Sequence, residues 1–252
     1  MKLPADTPAR AADGPDVVAE ATAACQRVMS MTAEIAVGGS VGDQRVRGHM
    51  LAGLARPASL RLEAASPFGA PLFIFVATGD DATLLLPRDD RVLEHGRPDA
   101  VLDAIAGVPL DPIDLRAVLT GCGVAADGAE ATQPSADWRI VPDGAGHLYM
   151  HREPAGWRLT AAVRSPAQGE GWRAEYRRFE DGLPREVRLT STTSKRFDLR
   201  LTLSQVETNV ALGAEAFRVR IPSGARPITL AELRESGPLS PRAPSAGRPG
   251  RQ

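Results

Sequence analysis

Residues 60–76 read LRLEAASPFGAPLFIFV, and this stretch decides the fold. Two strand-like runs flank the segment Ser66-Pro67-Phe68-Gly69-Ala70-Pro71, in which proline and glycine mark a turn. A turn between strands normally faces water and is polar, yet this one carries the aromatic side chain of Phe68. Either Phe68 folds back onto the sheet or it meets something outside the protein.

The composition of the chain excludes several classes of function. The chain has 252 residues, a formal net charge of -1 and 4% aromatic residues. A nucleic-acid-binding surface would need a basic excess and stacking aromatics, so nucleic acid is not an expected partner. No run of eighteen apolar residues predicts a transmembrane helix. The first fifteen residues lack the apolar core of a signal peptide, so the sequence alone predicts a cytoplasmic protein unless a leader has been trimmed.

The two cysteines, Cys25 and Cys122, are too far apart in the sequence to form a chelating motif. In a reducing compartment they would be two buried free thiols. In an oxidising compartment they would form one disulfide, which closes a loop of 97 residues (122 minus 25). The chain-entropy model values such a loop at about 4–5 kcal/mol. The residues alone leave both alternatives open.

Apolar residues at helical spacing predict three helices. The first covers about residues 15–30. The second runs from Pro98 to Ala106 and stops at Gly107. The third runs from Pro112 to Thr120, with Asp111 as its predicted N-cap.

Alternating apolar and polar residues predict antiparallel strands over most of the remaining chain. The spacing of these strands is that of one curved sheet of about ten strands, which three helices are too few to cover on both faces. We therefore predict an α+β, mainly antiparallel half-barrel, with an N-terminal helix and short lid helices over an apolar cleft. The expected regions are a disordered segment at 1–14, the half-barrel domain at 15–236 and a disordered Pro/Ser/Gly/Arg tail at 237–252.

Residues that perform catalysis or bind metals are not grouped along the chain. His147 and His151 are four residues apart, but their neighbours favour a strand, on which they would lie roughly 13 Å apart and could not share one ion. Asp89 and Asp90 fit a polar hairpin turn better than an acid/base pair. The sequence has no phosphate loop and no nucleophile elbow. No catalytic residue, metal site or cofactor is therefore expected, and the protein is predicted not to be an enzyme.

Three stretches have a characteristic order and spacing. A strand over residues 60–62 leads into the Pro–hydrophobic–Gly turn at residues 67–69. Residues 105–121 hold two short helical segments joined by a Gly-hydrophobic-Pro turn. Strand-like runs between Tyr176 and Pro222 close the chain. Together, over roughly residues 16–222, these stretches resemble the LolA/LolB superfamily of bacterial envelope lipoprotein carriers, and LolB more than LolA.

The resemblance implies a non-enzymatic half-barrel that binds acyl chains of lipoproteins or lipids and delivers them to the outer membrane. The implied partners are acylated lipoproteins or lipids, the membrane surface and a LolA-like periplasmic carrier. The implied location is the periplasmic face of the outer membrane, although this sequence shows no leader or lipobox. An oxidising periplasm would favour a disulfide between Cys25 and Cys122.

The resemblance also assigns roles to individual residues. Pro67, Phe68 and Gly69 are expected to form a membrane-facing loop. The expected lining of the hydrophobic cleft is Leu62, Leu72, Ile74, Leu84, Leu86, Val101, Ile105 and Leu119, although alternation alone cannot say which face is concave. The alternative function is a structural or regulatory envelope module of the same fold that carries no lipid, and its cleft would be filled by its own side chains.

Overall fold

The computed structural model describes residues 2–6, 9–64, 71–126, 128–144, 146–165, 170–193 and 196–236. The helices are α1 (Gly14–Gln26), α2 (Pro98–Ala106), α3 (Pro112–Thr120) and α4 (Leu230–Ser236), with a 3-10 turn at Ala214–Phe217. The strands are β1 (Arg10–Ala11), β2 (Ser30–Val41), β3 (Gln44–Ala55), β4 (Ser59–Ala64), β5 (Phe73–Thr78), β6 (Asp81–Leu86), β7 (Arg91–Gly96), β8 (Ala131–Ser135), β9 (Trp138–Asp143), β10 (Gly146–Glu153), β11 (Gly156–Arg164), β12 (Trp172–Glu180), β13 (Leu183–Ser191), β14 (Phe197–Thr208) and β15 (Arg226–Pro227).

The strands form one large, curved, open sheet. Their order is β1-β8-β9-β10-β11-β12-β13-β14-β2-β3-β4-β5-β6-β7-β15, so β1 and β15 are the two edges. Neighbours pair antiparallel, except that β15 runs parallel to β7. The predicted fold class of a curved antiparallel sheet with few helices is therefore confirmed.

The predicted number of about ten strands is wrong, because the described residues already form a sheet of fifteen. Strands β1 and β15 have two residues each, too few to show an alternating pattern. Conversely, the alternation over residues 217–221 predicted a strand that does not form. Phe217 is instead the last residue of the 3-10 turn, and residues 218–221 have no regular secondary structure. The carbonyl groups of Ala216 and Arg218 accept hydrogen bonds from Arg61 of β4.

The N-terminal region differs in detail from the prediction. Residues 10 and 11 lie in the segment expected to be disordered, yet they pair with Thr132 and Ala131 of β8. Helix α1 ends at Gln26 because Ser30 already begins β2. The predicted disordered tail, 237–252, lies outside the described residues.

The concave face of the sheet carries the main core. In β4, for example, Leu60, Leu62 and Ala64 are buried on this face, while Arg61 and Glu63 project from the other. Helix α1 packs against β9–β11, α2 against β6 and α4, and α3 against β13. The concave side is thus covered at both ends by helices, as a sheet with one apolar face requires.

The convex face is partly covered near β5–β7. Val76, Leu85 and Val92 are buried there, because the chain after β14 crosses the outside of these strands before β15 joins the edge. None of the helices in the described ranges has the length and hydropathy needed to cross a bilayer.

Candidate functional site

An apolar cavity of about 380 Å³ lies between the concave face and helices α2 and α3. Strands β2, β3, β4, β13 and β14 form its floor, with side chains such as Ile35, Met50 and Leu201. The two helices and the segment between them form its roof, with Leu102 and Leu115 among the contacts. The lining is apolar apart from Gln44, Arg45, Arg47 and His49 of β3, so the cavity suits a hydrocarbon ligand.

The two roof helices are short because local signals start and stop them. Each has proline in its first turn, and α3 is capped by Asp111, whose carboxylate accepts a hydrogen bond from the Asp114 amide at 2.7 Å. Each ends at a glycine in the left-handed conformation, Gly107 with φ 66° and Gly121 with φ 64°. A Cβ atom on Gly107 would lie 2.3 Å from a methyl group of Val41. The turn between the helices therefore rests directly on the end of β2.

Helix α3 is held by several polar contacts at its two ends. Trp172 donates its indole N–H to the Asp114 carboxylate at 3.4 Å, and Arg164 lies 3.6 Å from the same carboxylate. Burial, followed by the nearby Asp111, raises the pKa of Asp114. The Tyr176 hydroxyl donates to the carbonyl oxygen of Ala117 at 3.3 Å, and burial raises the pKa of this tyrosine.

A disulfide adds a covalent restraint close to α3. Cys25 of α1 is bonded to Cys122, two residues after the last residue of α3, and their Cα atoms are 5.5 Å apart. Since α1 packs against β9–β11, the bond ties the end of α3 to the sheet.

Helix α2 has fewer polar restraints among the described residues. The ion pair between Asp103 and Arg196, at 2.6 Å, links it to the start of β14. The Arg196 side chain is 42% exposed, so water screens this pair. The rest of the contact is apolar, through Leu102 and Ile105. Of the two roof helices, α2 therefore has the weaker polar attachment among the described residues.

The rim of the cavity includes both ends of the chain segment that carries Phe68. Ala64 and Leu72 both line the cavity, and the Leu72 amide donates to the Ala64 carbonyl oxygen at 3.0 Å. Leu72 is 44% exposed. The predicted membrane-facing residues Pro67, Phe68 and Gly69 lie outside the described residues, but the segment that contains them begins and ends at this rim.

A glycine provides part of the space in the cavity. Gly48 of β3 pairs with Val37 of β2, and both line the cavity. No described atom lies within 4 Å of the position that a Cβ atom on Gly48 would occupy. The only sequence signal for this role is a glycine at an inward position of an otherwise alternating strand.

Four of the eight predicted cleft residues line the cavity: Leu62, Leu72, Ile105 and Leu119. The other four, Ile74, Leu84, Leu86 and Val101, are not part of the lining of this cavity. Ile74 lies on the convex face, because its neighbours Phe73 and Phe75 take the inward positions of β5.

The other three residues are buried in the core farther along the sheet. Leu84 and Leu86 lie on β6, where α2 packs, and Val101 contacts Gly96 closely enough that a Cβ atom there would lie 2.5 Å away. They support the roof rather than face the empty space.

The described residues show no converging metal ligands. No group of three His, Cys, Asp or Glu side chains is close enough in this part of the chain to hold an ion. His147 and His151 both lie on β10, so the predicted strand is confirmed there. The cavity can therefore bind an apolar chain and shield it from water.

Comparisons with known proteins establish the fold. No protein-family model and no curated protein matches the sequence. A solved LolA superfamily protein from Nitrosomonas europaea aligns with 82% of this chain and 97% of its own length, with a TM-score of 0.55 and 9% identity. A putative outer membrane lipoprotein-sorting protein domain from Vibrio parahaemolyticus aligns with 81% of this chain and 96% of its own, with a TM-score of 0.50 and 14% identity. At these identities the likeness shows a shared fold.

Proposed function

We propose that the protein is a non-enzymatic carrier or receptor that binds the acyl chains of lipoproteins or lipids. The observation that carries this proposal is the apolar cavity of about 380 Å³ between the concave face and α2 and α3. A scaffold of the same fold would gain stability by filling that space with its own side chains. Here Gly48 stands on the floor where a larger residue would fit. This favours a carrier over a module that holds no lipid.

An acyl chain would bind in the closed cavity so tightly that its release requires the roof to open. Each buried CH₂ group contributes about 0.8 kcal/mol, so a fully buried sixteen-carbon chain would gain about 12 kcal/mol before any cost of binding. A carrier that held its cargo so tightly would release it slowly. Opening α2, whose polar attachment is the screened Asp103–Arg196 pair, offsets part of this gain and gives the cargo a route out.

We further propose that the protein delivers its acylated cargo to the outer membrane in the manner of LolB. The sequence motifs and the fold shared with a lipoprotein-sorting domain support it. A disulfide supports an oxidising compartment of the cell envelope. Phe68 is the proposed membrane contact, since burying one Phe side chain contributes about 1.5–3 kcal/mol, enough for reversible contact with a bilayer.

The test is a titration of the full chain with a fluorescent fatty acid, comparing two glycine variants. Gly48→Leu places a side chain in the cavity. Gly38→Leu, on the neighbouring strand, is the matched control, because Gly38 faces the convex side and a Cβ atom added there would likewise have no described atom within 4 Å. Both variants add the same volume to the same strand pair.

We expect Gly48→Leu to weaken binding at least tenfold and Gly38→Leu to leave it within twofold of the original protein. Thermal unfolding of both variants reports whether the fold is kept. Equal affinities of the two variants, or no binding by the original protein, would contradict the carrier function.

A further inference from the structure

An unusual row of arginines crosses the convex face at the end of the sheet that holds the cavity. Arg188 of β13 pairs with Arg200 of β14, Arg200 pairs with Gly38 of β2, and Gly38 pairs with Arg47 of β3. Arg45 lies two residues before Arg47, on the same face. Like charges that face each other across strands are destabilising. Only Arg188 and Arg200 face each other directly, and the Asp198 carboxylate offsets part of their repulsion.

Two of these four arginines, Arg45 and Arg47, have no acidic partner among the described residues. Arg188 forms a two-pronged ion pair with Asp198, at 3.0 and 2.7 Å. Arg45 and Arg47 are exposed and form no ion pair with another described residue. Arg200 is also exposed, and its charge helps to lower the pKa of the nearby Asp198 carboxyl group. The whole chain has a net charge of -1, so this concentration of cations is local.

Two glycines lie on β2 between these arginines, and Gly38 leaves the backbone there open to solvent. Gly38 has no side chain and open space above it, and Gly39 has φ 142°, where a Cβ atom would lie 2.0 Å from the Asp198 carbonyl oxygen. The arginines thus flank a shallow groove that is open at Gly38. Its lining is Ala36, Val37, Gly38, Gly39, Arg45, Val46, Arg47, Arg200 and Thr202. Neighbouring strands lie about 4.8 Å apart, so Arg47 and Arg200 start about 10 Å apart on either side of Gly38.

The groove and the apolar cavity share a wall. The first residues of β3 separate the convex groove from the concave cavity. Arg45, Val46 and Arg47 therefore line both. Leu72, 44% exposed, lies on the rim of the same cavity. Cationic and apolar groups side by side at one end of a molecule are typical of proteins that dock on an anionic membrane surface.

We propose that the arginine groove, defined by Arg45, Arg47 and Arg200, docks this end of the protein on an anionic phospholipid bilayer. The groove would bind lipid phosphates and so place the cavity mouth against the membrane. The inference extends the proposed carrier function, but it concerns a different surface and is testable on protein with an empty cavity. An arginine near an anionic membrane improves binding about fivefold, so three would improve it about one-hundredfold at low salt.

The experiment measures binding of the full chain to vesicles by sedimentation. One set of vesicles contains phosphatidylcholine alone and the other contains phosphatidylcholine with 30 mol% phosphatidylglycerol (roughly the anionic share that gives a strong surface potential). The test variant is Arg45→Gln/Arg47→Gln/Arg200→Gln. The matched control is Arg27→Gln/Arg152→Gln/Arg220→Gln, which removes the same charge from exposed positions outside the groove.

We expect tight binding to anionic vesicles alone, a loss of about one-hundredfold in the test variant, and a change below threefold in the control. Added salt should weaken binding, because it screens exposed charges. Competition by millimolar inorganic phosphate in solution would instead assign the groove to a free phosphate ligand and overturn membrane docking.

Equal binding by both variants, or equal binding to both kinds of vesicle, would also overturn it. An acidic protein partner would then become the better explanation of the arginines. The fatty-acid titration of Arg200→Gln alone separates the two proposals, since Arg200 lines the groove and not the cavity. This variant should bind the fatty acid as the original protein does, while its affinity for anionic vesicles should fall about fivefold.

Discussion

Removing the disulfide between Cys25 and Cys122 should cost the protein a large part of its stability. The bond closes a loop of 97 residues. The loop-closure entropy for that length corresponds to about 4.7 kcal/mol at 25 °C. Domains are typically stable by about 5–15 kcal/mol, so the loss would bring many of them close to unfolding.

The assay is urea unfolding of the original protein, of the same protein reduced with dithiothreitol, and of Cys25→Ala/Cys122→Ala. Both cysteines are buried, at 3% and 6% exposure, so the alanine variant also loses some packing. Reduction alone removes the cross-link with both sulfur atoms in place, and it serves as the matched control. We expect the free energy of unfolding to fall by about 4–5 kcal/mol on reduction.

The dependence on urea should also change. Without the cross-link the unfolded chain expands, so the slope of the unfolding free energy against urea should increase. A loss below about 1 kcal/mol on reduction, with an unchanged slope, would refute the loop-closure argument.

Three other perturbations test separate parts of the structure. Asp13 accepts two hydrogen bonds from Arg139, which lower its pKa, so the pair stabilises the fold above the unfolded pKa of about 3.9 and loses this effect as the pH falls through the lower folded value. Asp13→Asn should therefore be less stable than the original protein at pH 7, and the difference should disappear once the pH lies below the lowered pKa of folded Asp13. Urea unfolding at each pH would show it; a difference that does not depend on pH would exclude this explanation. Arg196→Gln breaks the ion pair with Asp103 and should speed release of a bound fatty acid up to about fivefold, measured by stopped-flow dilution, while an unchanged rate would mean that the pair does not restrain α2. Phe68→Glu should keep fatty-acid affinity and slow transfer to vesicles at least tenfold, since about 1.5–3 kcal/mol of membrane contact is lost; unchanged transfer would remove Phe68 from the delivery step.

Local signals in the sequence predict the roof helices well. The bounds of α2 and α3 are confirmed because proline starts each helix and glycine, at Gly107 and Gly121, ends it. These effects act within a few residues and need no knowledge of the tertiary structure. The curved antiparallel sheet is also confirmed, since its alternating pattern is long and repeated.

Features that depend on distant parts of the chain are harder to predict. The run from Leu72 to Val76 is apolar throughout, so its sequence could not show that Ile74 faces outward. Its convex face is covered by a segment more than a hundred residues later, around the 3-10 turn. Strand β15 is unpredictable for the same reason, because its two residues are a strand only through their pairing with the edge of β7, far away in the sequence.

Predicting the lining of the cavity needs both local sequence patterns and contacts between distant parts of the chain. Leu62, Leu72, Ile105 and Leu119 are in the predicted set because they belong to strands and helices with clear apolar positions. Leu199 and Leu201 were not in that set, because their place beside β2 depends on a pairing between the first long strand and the last. The membrane role of Phe68 stays a prediction.

Native mass spectrometry of the full chain purified from a bacterial expression host, followed by lipid extraction, tests the central claim most directly. A carrier should retain acyl species in a fraction of the molecules, and Gly48→Leu purified in the same way should retain far less. An empty original protein that also binds no added fatty acid would contradict the account.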